Sequence, residues 1–348
     1  MRSVKVAIGP VFDEFGGVSR HILGIKKYSS FSVVEVPSAL YRGFTGNRRN
    51  IRRIYKMMLG HIGLRQFDIV HSHVSPWFVN LCARSRNRSC RWAHTYHTLY
   101  FKEDFFGNLE PWQELVNESL VREASSADVR ISISLWLSEY LEAEYGVSTI
   151  VIPNGVDVEA CDLADGSRFV QRCGLEDYVI FVGSDRAVKA PDLFIRMARE
   201  LKDVPFVMVG RRLNRENIYS KYGLDVPRNV FLVGELSYRE TLDAIAGCRA
   251  FVMTSKREGC PTALLEAMAL RKPVVVPAHS GCLEIVESED YGFLYEYGRL
   301  DDLVENVRKA LDDKQKGKRA RQRVLDIYDW RVLVKRIDDV YRELAGET

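Results

Sequence analysis

Two glutamates, Glu258 and Glu266, stand eight positions apart in the stretch REGCPTALLEA (residues 257–267), with Pro261 between them. Proline lacks an N–H and fixes φ, so it fits the first turn of a helix and disrupts the interior. Glu258 is therefore expected in the loop entering a helix, and Glu266 about a turn and a half inside it. The free amides at residues 260–263 would point into the same cleft, and a helix N-terminus favours an anion. Gly259, Cys260, Pro261, Thr262, Ala263 and Leu264 thus form a candidate anion cradle. Carboxylates that can hold sugar hydroxyls, beside amides that can hold a diphosphate, suggest a nucleotide-sugar site. A capped helix with a solvated Glu266 would give the same spacing without any chemistry.

Cations suited to a diphosphate occur in FVGSDRAVKAP (residues 181–191), which carries Arg186 and Lys189. The planar fork of arginine suits bidentate phosphate contact, and lysine supplies a point charge. Gly16 and Gly17 precede an amphipathic run containing Val18, Ile22 and Ile25, and paired glycines let backbone amides approach a phosphate closely. The motif G-x-G-x-x-G is missing there, so a nicotinamide dehydrogenase gains little support. His71, His73, His94 and His97 fall at the carboxyl ends of adjacent predicted strands, where open α/β sheets place their ligands. A metal site is the rival reading, because His71 and His73 share a strand face. No carboxylate or cysteine stands at convincing spacing, so no metal ligands are assigned.

The elements that must position these residues recur regularly. Short apolar runs occur at residues 4–9, 31–37, 68–73, 91–97, 129–134 and 149–153. A second set occurs at 178–183, 205–210, 229–234, 250–255, 273–278 and 292–296. Runs such as VIFVG and FVMVG are apolar throughout, as parallel strands covered on both faces should be. Repeated strand–helix alternation implies right-handed βαβ units and doubly wound sheets. Two sets imply two Rossmann-like domains with a cleft between them, an α/β architecture. The expected spans are 1–155, 156–327 and a closing helical segment, 328–348.

The 348 residues suit two domains, and 46% hydrophobic with 28% charged residues is ordinary for a globular protein. The net charge of +3 is too small to imply nucleic acid. Seven scattered cysteines form no C-x-x-C, which fits a reducing, cytoplasmic setting rather than a disulfide framework. The N-terminus reads as a strand and not as a signal peptide, and no apolar run approaches a membrane span. Residues 47–63 combine an apolar stripe (Ile51, Ile54, Tyr55, Met58, Leu59) with Arg48, Arg49, Arg52, Arg53 and Lys56. Such a helix could rest on an anionic membrane, at the inner face, or receive an anionic acceptor. A core-packed helix with a solvated basic face is the plainer explanation of the pattern. Residues 314–323 read as an exposed basic helix–loop.

Taken together, EGCPTALLEAMALRKPVVVP, GGVSR, the Lys189 loop and SGCLEIV (residues 280–286) resemble the retaining glycosyltransferases of family 4, which have the GT-B fold. The resemblance covers essentially the whole chain. It implies a C-terminal helix crossing back to the first domain, and transfer of a sugar from a nucleoside-diphosphate sugar. A UDP-sugar is favoured and a GDP-sugar is the second choice. Glu258 would hold donor-sugar hydroxyls, Glu266 the ribose diol, Lys189 and Arg186 the diphosphate, and His97 the acceptor side. Gly16 and Gly17 would face the diphosphate and acceptor. Attack would be front-face, with no protein nucleophile and no cofactor or divalent metal. The acceptor would be a sugar, a glycolipid or another hydroxyl. Two departures stand out: Ser184 where the family has arginine, and Ala190 where it has glycine. A sugar-nucleotide epimerase or hydrolase, or a non-enzymatic nucleotide-sugar or anionic-lipid binder, would share the donor site.

Overall fold

Every one of the apolar runs becomes a parallel strand, and the order of those strands puts the candidate residues at defined places. The computed structural model describes residues 4–11, 16–36, 63–85, 90–105, 107–313 and 315–347. The basic segment at residues 47–62 lies outside them. The chain divides into two compact units.

The first unit comprises the chain up to Phe101, Leu109–Asn154 and the chain from Trp330 onward. Its sheet contains β1 (Lys5–Gly9), β2 (Ser32–Glu35), β3 (Ile69–Ser72), β4 (Arg91–Tyr96), β5 (Val129–Ser132) and β6 (Ile150–Val151). The order is β2-β1-β3-β4-β5-β6 with all pairs parallel. Strand order therefore reverses at β1 and β3, and the chain leaving each strand there has no neighbouring crossover above it.

The C-terminal helix Trp330–Ala345 belongs to this first unit. Its apolar stripe, including Trp330, Leu333 and Ile337, joins Ile8, Ile22 and Ile25 in one core. Gly24 makes room for it: a Cβ at Gly24 would stand 2.2 Å from the Trp330 ring. Asp338 accepts from the Ser29 hydroxyl at 2.6 Å and from the Ser30 amide at 2.9 Å, which fixes the helix against the end of helix Gly17–Tyr28.

The second unit comprises Lys102–Asn108 and Gly155–Asp329. Its sheet contains β7 (Val179–Val182), β8 (Phe206–Val209), β9 (Val230–Gly234), β10 (Ala250–Val252), β11 (Val274–Pro277) and β12 (Phe293–Tyr295). The order is β12-β11-β10-β7-β8-β9, again parallel, so the reversal falls between β7 and β10. The short segment Lys102–Asn108 joins this unit although the chain on both sides of it belongs to the first, an arrangement that no sequence pattern signals.

One expectation is corrected. The basic stretch before the C-terminal helix forms the helix Lys316–Arg323, in which Lys318 and Arg319 are exposed as expected but Lys316, Arg321 and Arg323 are anchors. Arg321 pairs with Asp162, Arg323 with Glu287, and Lys316 with Glu289 while lying over the Phe293 ring. A run of like charge folds in this way when each long stem covers apolar surface and each head finds a carboxylate. Among the described residues, no helix is long and apolar enough to cross a membrane. All seven cysteines are free thiols.

Candidate active site

In the second unit the loops leaving β7 and β10, the two strands at the reversal, carry the predicted residues. The β7 loop passes through Arg186, which is exposed, into a tight turn at Ala187–Lys189. Ala190 then adopts φ 44° and ψ 57°, the left-handed region. Glycine reaches that region freely, whereas alanine pays about 1 kcal/mol or more. The glycine that the family pattern expects at this position thus has a geometric reason, and this chain holds the turn by other means. The Thr254 hydroxyl donates to the carbonyl oxygens of Lys189 (3.0 Å) and Ala190 (2.9 Å). The Lys256 amide donates to Val188 O at 2.8 Å.

This stitching brings the ammonium of Lys189 to Glu258. Lys189 Nζ donates to Glu258 Oε1 at 2.5 Å, and the two side chains are only 20% and 10% exposed. Glu258 is set from its other side by the turn that opens helix Ser280–Val286. Its amide donates to Ser280 Oγ at 3.3 Å, and its carbonyl accepts from the Gly281 amide at 3.0 Å. A Cβ at Gly281 would stand 1.4 Å from Gly259 O, so only glycine lets the two loops touch. Burial and the Arg257 charge both lower the pKa of His279, beside Ser280.

Beyond Glu258 the chain turns into helix Thr262–Ala269, with Pro261 as its N-cap at φ −71° and ψ 115°. Proline therefore sits one position earlier than a first-turn residue, with the same effect on direction. The amides of Thr262, Ala263 and Leu264 precede the first intrahelical donor, the Leu265 amide, and carry the positive end of the helix dipole. Cys260 and Leu264 are buried, so they offer backbone rather than side chain. Glu266 is also buried, one turn in, close enough to Cys161 for its charge to help raise that thiol's pKa, which burial raises first.

Two residues in this region escaped the sequence reading. Asp104, from the segment Lys102–Asn108, accepts from Arg257 at 2.9 Å, with its carboxylate almost fully buried. Burial pushes the Asp104 carboxyl up, and Arg257 and Lys256 pull it down. A partner 153 positions away leaves no local signal. The second, Ser280, was visible only as part of a turn, and its hydroxyl role depends on a left-handed φ of 48°.

In the first unit Gly16 caps helix Gly17–Tyr28 and accepts from the Arg20 amide at 3.0 Å. His97 follows β4 and packs among other buried imidazoles. His73 Nδ1 and His97 Nε2 are hydrogen-bonded at 3.0 Å, and the His21 ring lies 4.8 Å from that of His97. His71 is fully partnered, by Tyr341 OH and Thr95 Oγ1, each at 2.7 Å. Burial lowers all five pKa values, to about 4 for His21 and about 3 for His94, and mutual repulsion adds to it for His71, His73 and His97. These imidazoles are neutral at pH 7. His21, buried against His97, reads in the sequence only as part of the helix's apolar stripe beside Ile22 and Ile25.

Two doubly wound units, each with candidate residues at a reversal of strand order, define a GT-B-type protein. Residues 15–160 match the family described as Glycosyltransferase Family 4, and residues 170–325 match Glycosyl transferases group 1. The chain belongs to these family 4 glycosyltransferases. It is 25% identical over 228 residues to an uncharacterised glycosyltransferase of Methanocaldococcus jannaschii, covering 64% of this chain and 61% of that protein. It is 25% identical over 300 residues to the Escherichia coli UDP-Gal:α-D-GlcNAc-diphosphoundecaprenol α-1,3-galactosyltransferase, covering 79% and 74%. The fold matches that of Anabaena Alr3699/HepE, solved in complex with UDP-glucose. The TM-score is 0.77 and the identity 17%, with 97% of this chain and 99% of that one covered.

Proposed function

We propose that the protein is a retaining glycosyltransferase that moves a sugar from a nucleoside-diphosphate sugar, UDP-linked by preference, to an acceptor hydroxyl. The observation that carries the reading is the Lys189–Glu258 pair at the β7/β10 reversal, beside the start of helix Thr262–Ala269. A cation and helix amides suit a leaving diphosphate, and a carboxylate held 2.5 Å from that cation suits the sugar hydroxyls. The E. coli relative, whose name includes a UDP-sugar donor and a diphosphoundecaprenol-linked acceptor, supports a UDP donor and a lipid-linked acceptor.

In this mechanism the acceptor oxygen attacks the anomeric carbon on the face that the diphosphate leaves. The bond from carbon to phosphate oxygen breaks as the new glycosidic bond forms, and the hydroxyl proton passes to the departing phosphate oxygen. Lys189, Arg186 and the amides of Thr262 and Ala263 take up the charge that develops there. Glu258 holds the donor hydroxyls, Glu266 holds the ribose diol, and neutral His97 lines the acceptor side, with Gly16 and Gly17 offering amides nearby. The donor diphosphate needs no divalent cation in this scheme.

A panel of nucleotide sugars, incubated with and without candidate acceptors, tests the proposal through nucleotide release and the anomeric coupling of the product. Acceptor-dependent release with an α-linked product from an α-linked donor is expected. Release without acceptor would mark a hydrolase or epimerase, binding without release a non-enzymatic binder, and an inverted product would overturn the retaining assignment.

A further inference from the structure

The carboxylate of Asp104 has no part in the transfer scheme above, yet it holds the residue next to the one that scheme relies on most. Its side chain is 8% exposed and accepts from Arg257 Nη1 at 2.9 Å. Arg257 immediately precedes Glu258. We propose that Asp104 is a positioning residue for Glu258: through Arg257 it fixes the loop from which the Glu258 carboxylate meets the donor sugar. The proposal takes the identity of the ligand from the transferase reading; the restraint itself rests on geometry alone.

Three consecutive residues are pinned to three different parts of the chain. The Lys256 amide donates to Val188 O at 2.8 Å, inside the turn Ala187–Lys189. Arg257 is taken by Asp104. The Glu258 amide donates to Ser280 Oγ at 3.3 Å, and its carbonyl accepts from the Gly281 amide at 3.0 Å. The middle pin has a firm seat. The short helix Lys102–Phe105, which carries Asp104, packs against the same Ala187–Lys189 turn. Its far end is closed by the Gly107 amide, which donates to Lys102 O at 2.9 Å with Gly107 at a left-handed φ of 95°. One short segment thus touches the loop of Lys189 and the loop of Glu258 together.

The middle pin matters most when the donor is bound. In the proposed mechanism Lys189 exchanges Glu258 for phosphate, and the Glu258 side chain is then oriented by the backbone of its own loop. A charge-assisted hydrogen bond to the preceding side chain is short and directional, and so limits how that backbone can turn. A buried ion pair adds little net stability over apolar residues of similar volume, so holding one conformation is the better account of its presence. Arg257 released from Asp104 would find the Glu258 carboxylate one residue away. Its charge already acts on His279, beside Ser280, so it stands within electrostatic reach of this loop. A guanidinium on Glu258 would occupy the oxygens that the sugar hydroxyls need.

Asp104→Asn and Arg257→Gln break the pair from either side, and the full chain is followed by hydrogen exchange and by transfer kinetics. Exchange in peptides spanning residues 255–259 should speed up by about tenfold or more in both variants, with strands β7 and β11 unchanged. Asp104→Glu, which keeps the charge, should restore part of the protection. In the transfer assay both variants should lower kcat by about tenfold or more and leave the nucleotide Kd within about twofold. The double variant should be no slower than the slower single one, because both act through one contact. Asp104→Asn is the milder change, since Arg257 is 26% exposed and keeps access to water; if Arg257→Gln does not fold, Asp104→Asn decides. Unchanged exchange at residues 255–259 overturns the proposal, as do additive kcat losses or a loss confined to KM. Exchange uses neither donor nor acceptor, so a wild type that transfers no sugar would sink the transferase reading while exchange still decides the restraint.

Discussion

Lys189 Nζ meets Glu258 Oε1 at 2.5 Å across a sequence separation of 69 residues, and this contact joins the two loops at the β7/β10 reversal. The lysine and the carboxylate are thereby held in place by one another. In the proposed mechanism, donor binding replaces this contact with phosphate for Lys189 and sugar hydroxyls for Glu258. Glu258→Gln should therefore lower kcat by about 10²-fold or more, since positioning and charge effects at such sites are of that size. Glu266→Gln, inside the helix, should mainly weaken nucleotide binding. Steady-state kinetics with calorimetric titration of the nucleotide separates the two, and a loss of only a few fold in kcat for Glu258→Gln would remove its assignment.

The same pair sets a stability test. Lys189→Met strands a largely buried carboxylate, which costs about 1–3 kcal/mol. Adding Glu258→Gln removes that charge, so the double variant should recover part of the loss. Urea unfolding of the four proteins gives the coupling energy; simple additivity would show that the pair contributes nothing.

Gly281→Ala should damage the site without touching any ligand group. Its Cβ would stand 1.4 Å from the Gly259 carbonyl oxygen, which is backbone and cannot rotate away. The loop bearing Glu258 must shift, at a cost of about 1–3 kcal/mol. A melting temperature within a degree of wild type, with unchanged kcat, would show that the two loops have slack the contact does not suggest.

Nearly all of the sheet architecture was legible in the sequence, because strands buried on both faces are continuously apolar and stand out at any position. The turn at Pro261 was legible for a different reason: one residue type fixes the backbone by itself. What escaped were contacts made by tertiary packing alone. Asp104 reaches Arg257 from a segment flanked on both sides by the other unit, and His21 reads as one more position on a buried helix face. The basic run at residues 316–323 was legible only in part: Lys318 and Arg319 are exposed, but charge in a sequence does not say whether carboxylates wait nearby, and Asp162, Glu287 and Glu289 meet Arg321, Arg323 and Lys316.

Mg²⁺ and Mn²⁺ should leave the transfer rate unchanged. In the proposed mechanism, Lys189, Arg186 and the amides at the start of helix Thr262–Ala269 supply the positive charge that such an ion would otherwise bring to the diphosphate. In a metal-buffered assay the rate should change by less than about twofold between trace and millimolar Mg²⁺ or Mn²⁺. A steep dependence, restored by either ion, would place an oxygen-ligated metal on the donor.

The histidine cluster gives the first unit a defined acid sensitivity. Burial lowers the His94 pKa to about 3 and that of His21 to about 4, from an ordinary value of 6.5. Between these limits the unfolded chain binds protons that the folded chain refuses, so stability falls as pH falls. The stabilisation is complete above pH 6.5 and is lost as pH drops through 4 and then 3. Each pH unit within that window costs about 1.4 kcal/mol for every histidine that remains neutral. The protein should lose several kcal/mol between pH 7 and pH 5 in urea unfolding. His94→Gln should flatten the slope over the same range, because glutamine removes one proton acceptor from the unfolded state. A stability that is level from pH 7 to pH 5 would mean that water or a proton already reaches these rings in the folded protein.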